Sequence, residues 1–487
     1  MPSSSSAATE FFEPDLCVRN FAGSIDCPNP FWLASAPPTN CGEQIMRAFD
    51  AGWGGAVWKT IGAPVTNVTS RYSSIDWQGQ RMMGFNNIEL ISDRPIETNL
   101  REMAEVKKRY PARAVIASLM VESTREAWHD IVGRSEDAGA DGLELNFGCP
   151  HGMSERGMGS AVGQVPEYAQ MITEWVKEKA RTPVLVKLTP NISDIRTVAR
   201  AARRGGADGL SAINTINSIT GIDLDTLIPR PNVDGRSSHG GYCGPAVKPI
   251  ALNMVQQVMA DAESALPMSG IGGIATWTDA AEFILLGCGT VQVCTAAMHY
   301  GYRIVEDMAD GLRNWMSDKG FRTLEDFRGL SVNRVTEWKH LNLNYKIVAH
   351  INEQKCIGCD LCHIACWDGA HQCIHLDRVS GPVDGHVELH PIPATHERAS
   401  QRSIAVTPVT RQERNAAVSA EVRGPHPTPL ARIPRVDETE CVGCNLCSCV
   451  CPVDNCITMI EVSTGLAPET WEERTGGAAC SVEPQIL

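Results

Sequence analysis

The sequence contains 487 residues with a formal net charge of −14, of which 43% are hydrophobic and 21% charged. These proportions are typical of a globular protein, and the length allows two or three domains. The acidic excess argues against nucleic acid or an anionic membrane surface as a partner. The sequence has no apolar run of about 18 residues, and its first residues do not show a basic segment followed by an apolar one. We therefore expect a cytoplasmic protein without a membrane span.

Short apolar runs alternate with helix-like segments after a polar lead-in over residues 1–20. The runs that predict strands are 31–34, 56–59, 114–119, 143–146, 184–188, 209–213, 267–270 and 290–294. The segments that predict helices are 43–51, 100–109, 124–138, 167–180, 194–204, 249–260 and 278–286. Further helices with amphipathic spacing are expected over about 300–345, at Ile304, Met308, Leu312 and Trp315.

Eight strands that alternate with helices predict an α/β fold, a (β/α)₈ TIM barrel over residues 21–345. An open doubly wound sheet is the alternative, but no Gly-x-Gly-x-x-Gly motif opens a βαβ unit. A second domain is expected over 346–465, with an insertion at about 380–435 that is rich in Pro, Arg, Ser and Thr. Residues 466–487 are expected to form a C-terminal tail.

Cysteine use is the most unusual feature of the composition. Nineteen cysteines are present, and eight of them lie in two tight runs: Cys356, Cys359, Cys362 and Cys366, then Cys441, Cys444, Cys447 and Cys451. This is the ligand spacing of a two-cluster bacterial ferredoxin, in which three thiolates of each run and the fourth of the other hold one [4Fe–4S] cluster. Structural zinc is the alternative, but zinc sites prefer Cys-x-x-Cys pairs separated by longer loops.

Two features of the runs depart from a minimal ferredoxin. Trp367 follows the first run where a proline is usual, and residues 367–440 separate the runs. The extra thiols Cys373, Cys449 and Cys456 are interpreted as packing residues. Since iron–sulfur clusters pass single electrons, the barrel is expected to hold a flavin, which accepts electrons singly and delivers them in pairs.

Chemically active residues lie at the ends of the predicted barrel strands, where barrel active sites form. Lys59, Asn146, Lys187 and Asn214-Thr215 end the second, fourth, fifth and sixth strands. A lysine at the inner rim needs an anion, which the N1–C2=O side of reduced flavin could supply; a lysine that reaches solvent is the alternative. Gly272-Gly273 and Cys294-Thr295 follow the last two strands, a common place for a phosphate pocket, and Gly240–Gly244 adds close backbone approach.

Cys149 follows the fourth strand directly and precedes a glycine-rich segment that contains Gly152, Gly157, Gly159 and Gly163. A thiol at a strand tip beneath a mobile loop suits a catalytic acid. The alternative is that Cys149 is a buried thiol used only in packing.

Together these residues resemble the catalytic subunit of bacterial NAD-dependent dihydropyrimidine dehydrogenases and the C-terminal half of the long eukaryotic enzyme. More distantly, residues 10–300 resemble the flavin-containing dihydroorotate dehydrogenases. The resemblance runs from about residue 12 to 465, apart from 380–435. It rests on both cysteine runs and on Asn29–Ala36, Trp58–Ile61, Asn87–Ser92, Asn146–Met153, Lys187–Asn191 and Ile213–Thr215.

The resemblance implies an oxidoreductase that reduces uracil and thymine to their 5,6-dihydro forms. FMN would be held by Ala34, Ser35, Lys59, Lys187, Gly244, Gly273 and Thr295, with Asn146, Asn214, Gly272 and Cys294 beside it. The pyrimidine would be bound by Asn87, Glu89, Asn146, Asn214 and Thr215. Cys149 would donate a proton to C5, since a thiol of ordinary pKa is protonated at neutral pH.

Glu89 is expected to separate the two related substrate classes, because a carboxylate suits a ring N–H and repels the carboxylate of orotate. The alternative is that Glu89 faces away and pairs with an arginine. The resemblance further implies that NAD(H) and FAD bind a partner flavoprotein subunit and that this subunit forms a homodimer within a hetero-oligomer. Two other functions stay open: a dihydroorotate dehydrogenase with a ferredoxin tail, and an electron-transfer subunit without its own substrate.

Overall fold

The computed structural model describes residues 12–150, 153–380, 388–391 and 432–476. The chain divides into two compact units, Met1–Val335 and Thr336–Leu487, which we call the barrel unit and the cluster unit. Most of the predicted insertion, the end of the predicted tail and the start of the lead-in lie outside the described residues. Among the described residues, no helix is long and apolar enough to cross a membrane.

The strands of the barrel unit, within its described residues, have the following bounds. They are β1 (Val18–Phe21), β2 (Ile25–Cys27), β3 (Phe31–Leu33), β4 (Gly55–Val57), β5 (Tyr72–Trp77), β6 (Gln80–Asn87), β7 (Ala114–Leu119), β8 (Gly142–Asn146), β9 (Val184–Lys187), β10 (Gly209–Ala212), β11 (Ile216–Ser218), β12 (Gly240–Cys243), β13 (Met268–Ile271) and β14 (Cys288–Val293).

The helices of this unit lie between those strands and after the last one. They are α1 (Gly42–Ala51), α2 (Ile96–Arg109), α3 (Arg125–Asp137), α4 (Ser160–Gly163), α5 (Pro166–Lys179), α6 (Ile195–Arg204), α7 (Lys248–Ala260), α8 (Trp277–Leu285), α9 (Thr295–Tyr300) and α10 (Ile304–Lys319). Short 3₁₀ turns occur at Pro37–Thr39, Ser154–Arg156, Pro245–Val247, Leu324–Asp326 and Val332–Arg334.

Eight strands close into a parallel barrel in the order β3, β4, β7, β8, β9, β10, β13, β14, and β14 pairs with β3. The predicted TIM barrel is therefore confirmed, and the open sheet is wrong. Every residue of these eight strands is buried, because parallel strands covered by helices have no face toward water. Two of the helices begin at threonine caps: the Thr124 and Thr276 hydroxyls accept from backbone N–H groups of α3 and α8.

The two ends of the barrel are covered differently. At the amino-terminal end lies the β1–β2 hairpin, close enough that a Cβ on Gly142 would stand 3.0 Å from Ile25 and one on Gly289 would stand 2.9 Å from Phe21. The loops that follow β4 and β10 form a four-stranded antiparallel sheet, β11-β12-β6-β5. The sequence analysis identified neither feature.

The cluster unit is a small internal repeat. Its described strands are β15 (Ile347–Ile351), β16 (Ile374–Ser380), β17 (Glu388–Pro391), β18 (Arg432–Val436) and β19 (Ile457–Glu461), and its helices are α11 (Leu361–Gly369), α12 (Leu446–Val450) and α13 (Trp471–Arg474), with a 3₁₀ turn at Trp338–His340. β15 pairs with β19, and β16 pairs with both β17 and β18. Two of these pairs thus join the chain segments that carry the two cysteine runs.

Each cysteine run begins as the same kind of loop. Gly358 and Asp360 in the first run, and Gly443 and Asn445 in the second, have positive φ angles between 59° and 69°. Glycine and, less readily, Asp and Asn adopt this left-handed conformation. The Cys-x-Gly-Cys-Asp/Asn-Leu-Cys pattern therefore encodes two tight turns that bring three thiols of one run together.

Candidate active site and cluster pockets

One large cavity lies at the carboxyl ends of the barrel strands. Its lining includes every residue to which the sequence analysis gave a catalytic, FMN-binding or pyrimidine-binding role: Ala34, Ser35, Lys59, Asn87, Glu89, Asn146, Cys149, Lys187, Asn214, Thr215, Gly244, Gly272, Gly273, Cys294 and Thr295. Strand register explains part of this convergence, because Asn146 and Lys187 are direct neighbours at the ends of β8 and β9. The cavity is thus built from residues distant in sequence.

Glycines form the tightest wall of the cavity. Gly244, Gly272 and Gly273 have φ angles of 91°, 131° and 77°. A Cβ on Gly272 would lie 2.6 Å from Ala251, and one on Gly273 would lie 2.7 Å from the Lys248 amide nitrogen, in the first turn of α7. Only glycine fits this cradle, which leaves backbone and a helix start at the cavity wall, the arrangement that suits a phosphate group.

Both predicted lysines are buried at the cavity wall, with 4% of Lys59 and 5% of Lys187 exposed. The alternative in which they reach solvent is therefore wrong. Lys59 Nζ donates to Glu89 Oε1, and Lys187 Nζ lies 3.5 Å from Glu144 Oε1. Protein carboxylates balance both ammonium groups, whereas the sequence analysis expected a flavin to do so.

Glu89 combines the two alternatives that the sequence left open. Its side chain lines the cavity, yet it contacts Lys59, lies 3.4 Å from Arg71 Nη1 and accepts from the Tyr72 hydroxyl. Burial and this carboxylate raise the pKa of Tyr72. Since two cations face Glu89, its charge is largely compensated. The expected repulsion of orotate is correspondingly weaker than the sequence argument assumed.

A hydrogen-bond network fixes the amide side chains of the cavity. Asn146 Nδ2 donates to Thr60 Oγ1 at 2.9 Å, and this hydroxyl also lies 3.1 Å from Ser35 Oγ and 2.9 Å from Ser118 Oγ. Asn214 Nδ2 donates to Asn146 Oδ1 at 3.0 Å. The two amides are therefore held in one orientation, ready to present donors and acceptors to a ligand.

The residues before the candidate acid explain how this network closes. Phe147 is 1% exposed and packs edge-on against Trp128. A Cβ on Gly148 would stand 2.4 Å from Asn214, so glycine is required for Asn214 to approach the end of β8. Phe147 and Gly148 thus shape the approach to the cysteine.

Cys149 lines the cavity and is 8% exposed. Its surroundings are apolar: Met120, Met153, Met158 and Ile91 belong to the same buried cluster. Its carbonyl accepts from the Ser160 amide at 3.0 Å, which joins the strand end to α4. The described part of the predicted loop contains a 3₁₀ turn and α4, residues 151–152 lie outside the described residues, and the mobility of the loop stays a prediction.

The sequence analysis did not identify several residues at the cavity. Tyr72, Gln80, Arg81 and Met82 come from the β5–β6 hairpin, whose turn was signalled only by Gly79. Thr60, Gln292 and the underlying Glu144 are buried polar groups on barrel strands or their ends. Glu144 had a clear signal, since it lies two residues before Asn146 in an apolar strand and so faces the same side.

The cluster unit contains two pockets, each lined by ligands of the expected set. One is lined by Cys441, Cys444, Cys447 and Cys366, and the other by Cys356, Cys359, Cys362 and Cys451. Each pocket also holds one extra thiol, Cys373 in the first and Cys456 in the second. The structure therefore brings three cysteines of one run together with the fourth of the other.

Trp367 has a structural role where a proline was expected. Its indole Nε1 donates to the Ile374 carbonyl at 2.7 Å, which ties α11 to the start of β16. Cys373 precedes that strand, and its amide donates to Cys366 Sγ at 3.3 Å. The Cys373 sulfur itself lies 3.5 Å from Cys366 Sγ. Cys449, in contrast, is exposed and lines neither pocket.

Comparison with known families agrees with both units. The family model described as dihydroorotate dehydrogenase matches residues 19–316, more than half of the chain, and the model described as 4Fe-4S dicluster domain matches residues 355–455. The cluster unit therefore contains a 4Fe-4S dicluster domain, which favours iron–sulfur over zinc for the cysteine runs. Fold and family define a barrel oxidoreductase with a 4Fe-4S dicluster domain in the same chain.

Sequence identity to individual relatives places the chain in a narrower class of oxidoreductase. The chain is 46% identical over 360 residues to the NAD-dependent dihydropyrimidine dehydrogenase subunit PreA of Escherichia coli K12, covering 74% of this chain and 87% of that protein. It is 45% identical over 336 residues to the chloroplastic dihydropyrimidine dehydrogenase (NADP⁺) of Arabidopsis thaliana, covering 66% and 78%. The catalytic subunit of dihydroorotate dehydrogenase B (NAD⁺) from Pyrococcus abyssi is 35% identical over 315 residues, covering 63% and 97%. The chain belongs to the dihydroorotate dehydrogenase family and, within it, to the dihydropyrimidine dehydrogenases.

Proposed function

We propose that this chain is the catalytic subunit of an NAD-dependent dihydropyrimidine dehydrogenase, which reduces uracil and thymine to 5,6-dihydropyrimidines. One observation carries the proposal: a single cavity contains a thiol, two fixed asparagine amides and two buried lysines. The dicluster domain in the same chain supplies the means to bring electrons one at a time. The relatives with the highest identity reported above carry this activity in their names.

FMN fits the cavity, and its place follows from the donor set. Gly244, Gly272, Gly273 and Thr295 would hold the phosphate, while Lys59 and Lys187 would face the ring system together with Ala34, Ser35 and Cys294. Asn146 and Asn214 would lie between the ring system and the substrate. When bound, FMN would supply the hydride that a pyrimidine receives at C6.

The pyrimidine is proposed to bind between the amides and the hairpin side of the cavity. Asn87, Asn146, Asn214 and Thr215 offer donors and acceptors that match the alternating N–H and C=O edge of uracil. Asn87 is itself fixed, since its Nδ2 donates to the Gly241 carbonyl at 3.1 Å. Glu89 is proposed to accept from a ring N–H, with Lys59 and Arg71 limiting its negative charge.

Cys149 is proposed to donate the proton that C5 receives. The thiol lies at the end of β8, three residues after Asn146, so the group that orients the ring and the group that protonates it share one short segment. Three methionines, Met120, Met153 and Met158, belong to the same buried cluster as this thiol. This arrangement needs a thiol, because an alcohol is a far weaker acid.

Electrons are proposed to come from NADH through FAD on a partner flavoprotein subunit and then through the two [4Fe–4S] clusters of this chain. The ligand sets would be Cys356, Cys359, Cys362 and Cys451 for one cluster and Cys441, Cys444, Cys447 and Cys366 for the other. The pocket linings support this assignment. We further propose that this subunit acts in the cytoplasm and forms a homodimer within the hetero-oligomer.

The second candidate is dihydroorotate oxidation, and one observation favours it. Two cations face Glu89, so the cavity can tolerate a carboxylate ligand better than it would if Glu89 had no cation beside it.

The test is reduction of uracil and, separately, orotate by the purified chain with dithionite-reduced viologen dye. We expect turnover of uracil and not of orotate. Turnover of orotate alone would move the chain to the second candidate, and turnover of neither would favour a pure electron-transfer subunit.

A further inference from the structure

Glu144 is a fully buried carboxylate that the proposed mechanism does not use. It lies on β8 with no measurable exposure, and it does not line the cavity. Because side chains alternate along a strand, Glu144 points to the barrel interior on the same side as Asn146, one layer deeper. It therefore lies directly beneath the floor of the candidate site.

A polar layer surrounds this carboxylate. Gln292 Nε2 donates to Glu144 Oε2 at 2.9 Å, and the same nitrogen lies 3.3 Å from Ser211 Oγ and 3.1 Å from Ser269 Oγ. Glu144 Oε1 has no hydrogen-bond partner among the described residues, although Lys187 Nζ is 3.5 Å away. The hydrogen bond from the neutral Gln292 amide thus orients Glu144 but does not neutralise it.

Lys187 supplies the missing charge. A lone carboxylate in a barrel core is strongly disfavoured, and so is a lone ammonium, so the two groups stabilise each other's ionised forms. Their separation of 3.5 Å without hydrogen-bond geometry leaves the ammonium donors directed elsewhere. Lys187 lines the cavity, so these donors are available to a ligand there.

The other lysine of the site is balanced in a different way. Lys59 pairs with Glu89, and both of these side chains line the cavity. A ligand can therefore contact both members of that pair, whereas it can contact only Lys187 of the deeper pair. The Lys187–Glu144 pair is a fixed dipole with its positive end toward the cavity.

We propose that Glu144 is a positioning residue that holds the Lys187 ammonium at the cavity wall, where it stabilises the reduced flavin. This inference rests on the proposed function, because it requires FMN in the cavity. Without Glu144, Lys187 would be an unpaired buried cation, which is strongly disfavoured, so its ammonium would no longer be held at the cavity wall. The cavity would then lose the positive end of the dipole.

The test is the midpoint potential of bound FMN in the full chain, measured by anaerobic spectroelectrochemistry with saturating FMN. We expect Glu144→Gln to lower the midpoint potential. The shift should correspond to about a tenfold weaker preference of the site for reduced over oxidised flavin. In a Lys187→Gln background, Glu144→Gln should lower it no further, since Glu144 acts through the lysine. Glu144→Asp, which keeps the charge, should recover most of the potential.

Ser211→Ala is the matched control, because it removes a hydrogen bond to Gln292 from the same layer without changing charge. Its potential should equal that of the wild type, and circular dichroism should show all variants folded. An unchanged or raised potential in Glu144→Gln would overturn the proposal. So would an equal lowering of the potential by Glu144→Gln in the wild type and in the Lys187→Gln background. If Glu144→Gln fails to fold, the potential of Glu144→Asp decides the question. A wild-type chain that binds no flavin would instead refute the proposed function.

Discussion

The cluster pockets and the barrel cavity gather their functional side chains in opposite ways. In the cluster unit, turns at Gly358–Asp360 and Gly443–Asn445 bring three thiols of each run together within seven residues of sequence. The cavity takes its residues from all around the barrel and from a sheet that two loops build together. Local spacing thus determines the first site, and the barrel topology determines the second.

This difference predicts how each site responds to substitution. Each cluster ligand helps to hold one metal centre together with other cysteines. Its loss should therefore remove that metal centre and leave the rest of the chain intact. A cavity residue has a single role in the chemistry, so its loss should change the reaction while the cofactors remain. The following predictions test this contrast from the largest expected effect to the smallest.

The largest effect is expected for Cys149→Ala. Removal of a general acid lowers rates by about 10²–10⁴-fold, and uracil reduction should fall within that range. The flavin spectrum and the iron content should stay at wild-type levels, because Cys149 belongs neither to the residues proposed to hold FMN nor to the proposed cluster ligands. Cys17→Ala, an exposed cysteine, is the control and should retain full activity. A wild-type rate in Cys149→Ala would remove Cys149 from the role of acid.

The next effect concerns iron. Cys359→Ala should lose about half of the iron, since one of two [4Fe–4S] clusters loses a ligand. Cys449→Ala, an exposed cysteine only two residues from the ligand Cys447, should lose none. Iron analysis and low-temperature EPR of the reduced proteins give the comparison. Full iron in Cys359→Ala, or loss in Cys449→Ala, would contradict the ligand assignment.

Glu89→Gln should weaken uracil use by about tenfold, the range of one lost charge-assisted hydrogen bond. The variant also leaves Lys59 without its carboxylate partner, so an anionic substrate should gain. Steady-state rates with uracil and with dihydroorotate measure both effects. New dihydroorotate activity would support Glu89 as the residue that selects neutral pyrimidines, whereas an unchanged uracil rate would place Glu89 outside substrate binding.

The smallest effect is expected for Tyr72→Phe. The variant removes the hydroxyl that donates to Glu89 and keeps the ring, which stacks on Phe85 at a centroid distance of 5.3 Å. KM for uracil should rise by about two- to fivefold with kcat nearly unchanged, since one indirect hydrogen bond is lost. A large fall in kcat would instead give Tyr72 a direct part in the chemistry.

Much of the fold could be predicted because it rests on strong local patterns. All eight barrel strands were identified within two residues of their ends, since parallel strands buried on both faces are continuous apolar runs. The β5–β6 hairpin was missed because its sequence, from Tyr72 to Asn87, lacks apolar alternation and is largely exposed. Its strand β6 also pairs with β12, which lies about 150 residues later in the sequence, and no local sequence pattern predicts such a distant pairing.

The predictions for the functional site divide in the same way into those that the sequence allowed and those that it did not. The lysines, asparagines and glycines at strand ends were found because a barrel places them together, whatever their distance in sequence. Their charge partners were not found, because which carboxylate meets Lys59 or Lys187 depends on side-chain packing. Glu89 shows the consequence. The sequence placed it at the cavity, and only the structure shows that Lys59 and Arg71 compensate its charge and that the Tyr72 hydroxyl donates to it.

The most direct test of the central claim is an anaerobic titration of the purified chain with dihydrouracil and, in a second sample, with dihydroorotate, following the flavin absorbance. We predict that dihydrouracil bleaches the flavin and that dihydroorotate does not. Bleaching by dihydroorotate alone, or a flavin that dithionite reduces but neither compound does, would contradict the assignment of this chain as a dihydropyrimidine dehydrogenase subunit.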